Sequence, residues 1–254
     1  MKSDAIHKLA LGVIAALSLQ FLPSNVTAQI PDEFTNLQIL PKDIKKGDLV
    51  LMMRNMAGGL GVRCNHCHVG PDNLQGMDFA TDEIDSKKVA REMMKMVQTI
   101  NGTYLKGLDT GRSHVQEVKC ITCHHRLTIP MGIEDVVAAK IEADGVEAAV
   151  AEYRQLRDEK YGGFAYDFGE IPINSLAEKM ARSGKLDEAL ALLNMNVEYK
   201  PDVVWTRILL AGVYREQGET GKAVASLEKA LEIEPDNPFV KRQLEAVKGA
   251  SKDQ

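Results

Sequence analysis

Aromatic side chains are scarce in this sequence, at 5% of its 254 residues. Because aromatic residues are enriched in β-strands, their scarcity argues against a sheet-rich fold. An excess of basic residues is also missing, since 31 Lys and Arg stand against 36 Asp and Glu, a formal net charge of −5. Such a chain has no basic field for nucleic acid, so no nucleic-acid partner is predicted. With 44% hydrophobic and 26% charged residues, the composition is that of an ordinary globular protein.

Residues 1–28 have the three parts of a secretory signal peptide. Lys2 and Lys8 supply the positive start, Leu9 to Leu17 is an uncharged apolar run, and residues 26–28 (Val-Thr-Ala) are small enough for cleavage. The alternative is an uncleaved anchor, but the apolar run is short for a membrane span. We therefore expect an exported protein in the periplasm, free or associated with the inner membrane.

Only four cysteines are present, and they fall into two copies of one pattern. Residues 64–68 (Cys-Asn-His-Cys-His) and 120–124 (Cys-Ile-Thr-Cys-His) each place two thiols three residues apart, followed directly by a histidine. On one helical turn the two thiols can reach both vinyl groups of a porphyrin, and the histidine can ligate the iron from the proximal side. The pattern predicts two covalently bound haem c groups. The attaching thiols are Cys64, Cys67, Cys120 and Cys123, and the proximal iron ligands are His68 and His124.

A four-cysteine zinc site is the alternative use of these thiols. In an oxidising compartment, close thiol pairs end as disulfides unless haem attachment or another reaction consumes them. A zinc site gathers four thiolates around one ion and leaves the histidine after each second cysteine unexplained. Haem attachment is therefore the favoured interpretation.

A methionine-bearing helix is predicted before each motif. The first runs from Lys46 to Ala57, and Gly58, Gly59 and Gly61 are expected to end it and to let the backbone lie close to a flat ring. Its apolar residues recur at steps of three and four: Leu49, Met52, Met53, Met56 and Leu60.

The second helix is predicted to follow an N-cap at Ser86 and to be broken by Gly107 and Gly111. One of its faces carries Val89, Met93, Met96, Val97, Ile100 and Tyr104. One methionine from each helix can supply the sixth iron ligand, and the alternative is that methionine fills the core. Helical phase alone does not separate Met53 from Met56, or Met93 from Met96.

Four segments resemble the multihaem cytochrome subunit of photosynthetic reaction centres, over about residues 38–130. They are Leu40–Ile44, Met53–His68, Met93–Val97 with Ile100-Asn101, and Cys120–His124. In that family the methionine eleven residues before the first cysteine ligates iron, which corresponds to Met53. A second lies seven residues before the Ile-Asn pair, which corresponds to Met93. The resemblance implies low-spin haems that transfer electrons, in a protein attached to or docked on a membrane photosystem.

The chain also departs from the four-haem members of that family. It has two attachment motifs, and Gly107 stands where those members place a histidine for a further haem. His125-Arg126 follows the second motif in place of the common Arg-Gly pair. The chain is therefore expected to form half of that architecture, with His114 and His125 as alternatives to Met93 for distal ligation.

A 34-residue repeat marks the C-terminal half. It pairs Leu176 with Leu210, Gly184 with Gly218 and Pro201 with Pro235. This is the tetratricopeptide period. Because two units leave an apolar face open, helices at Glu134–Ala143 and Val146–Lys160, and a last helix at Phe239–Val247, are expected to cap them. The concave face is expected to dock a peptide or another subunit, and a structural spacer is the alternative.

These patterns together predict an all-α protein. It comprises a signal peptide (1–28), a dihaem cytochrome c domain (29–130), a helical hairpin with a connector (131–169), and tetratricopeptide repeats with a capping helix (170–250). With both axial positions of each iron filled, we expect electron transfer between redox protein partners, a membrane photosystem or another electron-transfer complex, and no catalytic residue. The alternatives are a dihaem peroxidase-like enzyme with one open haem, and a haem redox sensor that signals through the repeats.

Overall fold

The computed structural model describes residues 30–108 and 117–250, so the predicted signal peptide lies outside the described ranges. Within them, regular structure is helical, and the only extended pairing is an isolated antiparallel bridge between Val69 and Asp78. The predicted all-α fold class is confirmed. Across the same residues, no helix combines the length and the apolar character needed to cross a membrane.

The described residues form ten α-helices, together with a 3₁₀ turn at Cys64–His66 and a π-helical turn at Ile100–Leu105. In chain order the helices are α1 (Lys46–Leu60), α2 (Asp85–Thr99), α3 (Cys120–His124), α4 (Ile133–Asp144), α5 (Val146–Lys160), α6 (Glu170–Arg182), α7 (Leu186–Tyr199), α8 (Val204–Glu216), α9 (Thr220–Ile233) and α10 (Pro238–Ala250).

The ends of the first two helices differ from the sequence-based expectation. Helix α1 continues through both Gly58 and Gly59 and ends at Leu60. Gly61 caps it with a φ of 70°, the left-handed conformation that glycine adopts without strain. Helix α2 begins at Asp85, so Ser86 lies inside it and is not the N-cap. The Ser86 hydroxyl instead donates a hydrogen bond to the carbonyl of His66.

The chain folds into two compact units. Within the described residues, the first comprises 30–42 and 64–91 and contains the first cysteine motif. The second comprises 43–63 and 92–250 and contains α1, the second motif and the repeat half. The four-part domain organisation drawn from the sequence remains a prediction.

The repeat half is built on two apolar clusters. In the first, helices α4 and α5 share a core with α6 and α7, and its fully buried side chains include Ile133, Tyr153 and Leu192. In the second, α10 packs on α9 through Val240, and Leu227 is a buried partner. The hairpin and the last helix thus cover apolar surfaces that two repeats alone would expose to water.

A buried polar network joins the first repeat to the second. The amide nitrogen of Asn196 donates to Oδ1 of Asn174 at 2.8 Å and to the carbonyl of Glu170 at 2.9 Å. Asn174 in turn donates to Oγ1 of Thr206 at 2.9 Å. All three side chains are buried. Because satisfied buried polar groups favour one arrangement over its alternatives, this network sets the register of α6, α7 and α8.

Replacing Asn196 with alanine should therefore destabilise the repeats. The buried Oδ1 of Asn174 and the part-buried Glu170 carbonyl each lose a side-chain donor, which costs about 1–3 kcal/mol. The control is Asn194→Ala, an exposed asparagine on the same helix, which should change stability by only a few tenths of a kcal/mol. Urea unfolding followed by circular dichroism measures both. Equal losses in the two variants would show that the network adds no stability.

Candidate functional site

The first cysteine motif folds into a tight helical turn. The backbone N–H groups of Cys67 and His68 both donate to the carbonyl of Cys64, at 3.2 and 3.0 Å. The turn brings the two half-buried thiols onto one short segment, with the histidine directly after them. Burial raises the pKa of the Cys67 thiol. This is the local geometry that attachment to one porphyrin edge requires.

The imidazole of His68 is enclosed by the loop that follows the motif. Its ring packs edge-on against Phe79, with 5.1 Å between ring centroids. Burial lowers the pKa of His68, and the charge of Lys87 lowers it further, while the Phe79 carbonyl opposes the shift. Nδ1 of His68 is buried and has no partner in hydrogen-bond geometry among the described residues. The lowered pKa favours the neutral imidazole, the form whose lone pair can ligate a metal.

The second motif forms the short helix α3. The backbone N–H of Lys119 donates to Oγ1 of Thr122 at 3.0 Å, which caps the start of the helix. Nδ1 of His124 lies 2.8 Å from the carbonyl of Leu127. With Nδ1–H as the donor, Nε2 keeps its lone pair, and a backbone carbonyl behind the ring is the usual orientation of a metal-ligating histidine.

Asn101 anchors the segment that leads into α3. Its amide nitrogen donates to the carbonyl of Val118, and its Oδ1 accepts from the N–H of the same residue, both at 2.9 Å. The contact fixes the backbone two residues before Cys120. The residues around Asn101 predict no role for it. Its one indication in the sequence is its place in the Ile-Asn pair of the family resemblance.

Gly59 brings α1 against the second motif. A side chain here would meet α3, because an ideal Cβ would lie 2.9 Å from the backbone nitrogen of Ile121 and 3.0 Å from Cβ of Cys120. The N–H of Arg126 also donates to the carbonyl of Gly59 at 2.9 Å. Gly59 therefore admits the backbone of α3, and the expected close approach of this backbone to a flat ring remains a prediction.

The methionines of the two long helices differ in burial. Met53 and Met56 on α1 are half-buried, whereas Met93 and Met96 on α2 are 37% and 47% exposed. Met93 and Met96 thus do not fill the core of the described protein, which counts against the core-filling alternative for this pair. Distal ligation by Met53 and Met93 remains a prediction.

The structure describes one of the two histidines that are alternatives to Met93 for distal ligation. His114 lies outside the described residues. His125 ends α3 with a φ of 49°, and its Nε2 lies 2.9 Å from the carbonyl of Thr122 in its own turn. The structure therefore provides His125 with a local partner in the cap of its own helix.

A cavity of about 380 Å³ borders the second motif, within the size range of ligand pockets. Its walls include Cys123, His124, Ile133 and Tyr166. All four cysteines are described, and all are free thiols. Across residues 30–108 and 117–250, no three His, Cys, Asp or Glu side chains gather into a metal-binding group.

The donor set therefore fits covalent haem. The same arrangement occurs twice in the described residues: two thiols on one helical turn, followed directly by an imidazole. The neutral form is favoured in the first motif, and a carbonyl orients the ring in the second. In an all-helical chain this arrangement defines the class as a c-type cytochrome. The family model for the photosynthetic reaction centre cytochrome c subunit matches residues 19–178, more than half of the chain. The chain belongs to this family. Residues 180–244 match a tetratricopeptide repeat model, so both parts of the resemblance drawn from the sequence are confirmed.

Two curated relatives are similar to the cytochrome half. Cytochrome c-554 of Chloroflexus aurantiacus is 29% identical over 107 residues, 42% of this chain and 22% of that protein. The photosynthetic reaction center cytochrome c subunit of Thermochromatium tepidum is 29% identical over 127 residues, 48% of this chain and 28% of that protein. The similarity thus spans less than a third of either relative. Membership in a cytochrome c family implies covalently bound haem c.

Proposed function

We propose that this chain is a dihaem c-type cytochrome that passes single electrons between redox protein partners. The observation that carries the proposal is the pair of Cys-x-x-Cys-His turns. In the first turn burial lowers the pKa of His68, and in the second the Leu127 carbonyl orients His124. When bound, the haem supplies an iron that gains and loses one electron reversibly. The four cysteines hold the two groups covalently, and the two histidines ligate them from the proximal side.

The distal ligands in this proposal are Met53 and Met93. Both lie on long helices, and their positions match the ligating methionines of the family resemblance. A thioether opposite an imidazole raises the reduction potential. With a histidine and a methionine to hold each haem iron, no coordination site would remain for a substrate, so the chain would transfer electrons and not act as an enzyme. The exposure of Met93, at 37%, supports a role outside the protein core.

The relatives and the repeats support the proposed partners. One relative is named as a photosynthetic reaction center cytochrome c subunit, which supports a membrane photosystem or another electron-transfer complex as partner. Signal-like residues 1–28 support a periplasmic location, free or at the inner membrane.

The repeat half supports docking of a peptide or subunit. A cavity of about 280 Å³ lies along the repeats, with Ile208 and Phe239 in its walls. Ile171, Trp205 and Phe239 occupy the same position in successive 34-residue units, and all three are exposed. Exposed large apolar side chains that recur at the same repeat position support a surface that a partner can cover.

Carbon monoxide binding to the reduced holoprotein, purified from the periplasmic fraction, tests this function. We expect none in the unmodified protein, because methionine fills each distal position. Met53→Leu should open one haem and Met93→Leu the other, each with a fall in reduction potential. The matched controls Met56→Leu and Met96→Leu lie one helical turn further on and should bind no carbon monoxide.

Two results would contradict the proposal. Rapid binding of carbon monoxide at one haem of the unmodified protein would indicate an enzyme such as a peroxidase. Binding in the Met56→Leu or Met96→Leu variant, but not in its neighbour, would reassign the distal ligand.

A further inference from the structure

Three charged side chains hold the loop that follows the first motif. Nζ of Lys87 donates to three successive carbonyls, those of Phe79, Ala80 and Thr81, at 3.0, 2.9 and 2.6 Å. It also lies 3.2 Å from the carboxylate of Asp82. Arg91 reaches both oxygens of that carboxylate, at 2.9 and 2.8 Å. We call Asp82, Lys87 and Arg91 the loop cluster.

The two cations of the loop cluster are buried, its carboxylate is part-exposed, and its net charge is positive. Lys87 and Arg91 are each only 9% exposed, which is rare for these residue types unless they are paired. Hydrogen bonds from Arg91 hold the pKa of Asp82 well below its usual range, so the carboxylate stays ionised. Two cations therefore stand against one anion, and burial limits the screening of their field by salt.

The loop cluster acts on His68 through Phe79. Lys87 fixes the Phe79 carbonyl, and the Phe79 ring packs edge-on against the imidazole of His68. Ser86, next to Lys87 on the first turn of α2, donates to the carbonyl of His66 inside the motif. The same helical turn thus holds both the backbone of the motif and the aromatic wall of its histidine.

The second proximal histidine is held in another way. His124 donates from Nδ1 to the carbonyl of Leu127, three residues further along its own segment. Such a hydrogen bond makes the imidazole a stronger electron donor to a metal. A stronger donor favours ferric iron, whereas nearby positive charge disfavours it. At His68 the Phe79 carbonyl and the Asp78 carboxylate oppose the cations, but each acts less strongly than Lys87. The two surroundings therefore act in opposite directions on the reduction potential.

We propose that the loop cluster positions the first proximal histidine and gives the haem at His68 a higher reduction potential than the haem at His124. This rests on the proposed function, since it requires a haem at each motif. The cations at His68 and the carbonyl at His124 both separate the potentials in the same sense. Electrons arriving at this chain would therefore collect on the first haem.

A spectroelectrochemical titration of the holoprotein tests the proposal. The unmodified protein should show two one-electron components with different midpoints. Lys87→Met should lower the higher midpoint, raising the ferric-to-ferrous ratio at a given potential by about tenfold, or about 59 mV for a one-electron couple. Lys87→Arg keeps the charge, so its higher midpoint should stay close to that of the unmodified protein. The control Lys88→Met removes a neighbouring exposed cation that pairs with Asp85, and should leave both midpoints unchanged.

The number of haems per chain, measured first for every variant, distinguishes a failure of the proposed function from a failure of this inference. One haem per chain in the unmodified protein would overturn the proposed function itself. Two haems with equal midpoints would overturn the inference alone, even if no Lys87 variant folds. A Lys87→Met shift that falls on the lower component, or that Lys88→Met reproduces, would also overturn it.

Discussion

A variant with Cys64→Ala and Cys67→Ala should carry one covalent haem where the unmodified protein carries two. Both thiols lie on one helical turn, and they supply the two bonds that tether a single porphyrin. The paired variant Cys120→Ala with Cys123→Ala should lose the other haem. Pyridine haemochrome absorbance per chain, together with the mass of the denatured protein, measures the loss directly.

Asn65→Ala is the matched control for this experiment. Asn65 lies between the two thiols and is exposed, so its replacement keeps their spacing and should leave the haem count unchanged. The alternative result is an unmodified protein that is colourless and holds zinc that the cysteine variants lack. That result would show that the thiols gather around a metal ion. Unchanged covalent haem in the first variant would show that Cys64 and Cys67 do not attach it.

The repeat half could be predicted closely from the sequence because its period is a packing requirement. Small residues recur every 34 positions where helices cross, and Ala189 and Ala223 are both fully buried in the structure. Asn196 stands in the first unit where the second has Ala230. The sequence shows this as a departure from the period, and only the structure shows its partners, Asn174 and Glu170.

The ends of the helices near the cysteine motifs were harder to predict, because local preference competes there with packing. Glycine disfavours a helix interior, yet Gly59 remains helical since α3 occupies the space beside it. Serine is a good N-cap, yet the Ser86 hydroxyl donates to the His66 carbonyl and the helix begins at Asp85, two residues before the start that a Ser86 cap predicts. In both cases the deciding contact is remote in sequence.

The loop cluster could not be found from the sequence at all. Lys87 and Arg91 stand four residues apart among other charged residues, a pattern typical of an exposed helical face. Their burial depends on the Asp82 loop and on Asn36, whose amide nitrogen lies 2.9 Å from the Asp82 carboxylate across 46 positions. The spacing of the cysteines, in contrast, is local, and both motifs form the expected helical turns.

Gly58 and Gly59 are adjacent in α1, and alanine should have opposite effects at the two positions. At Gly59 a Cβ would lie 2.9 Å from the backbone of Ile121, closer than packed atoms approach. The helices must then separate, which costs about 1–3 kcal/mol and displaces the turn that carries Cys120. At Gly58 no atom beyond its chain neighbours and the backbone of its own helix lies within 4 Å of the added Cβ, so alanine should stabilise the helix by about 0.5–1 kcal/mol.

Thermal unfolding of the two holoproteins measures the difference, and haem content per chain shows which motif is affected. Gly59→Ala should lower both the unfolding temperature and the haem bound at the second motif, while Gly58→Ala raises the temperature and keeps full loading. The opposite signs matter, because helix propensity alone favours alanine at both positions. A gain in stability at Gly59 equal to that at Gly58 would mean that α1 and α3 do not touch in solution. The second motif would then have to be held by other contacts, such as that between Asn101 and Val118.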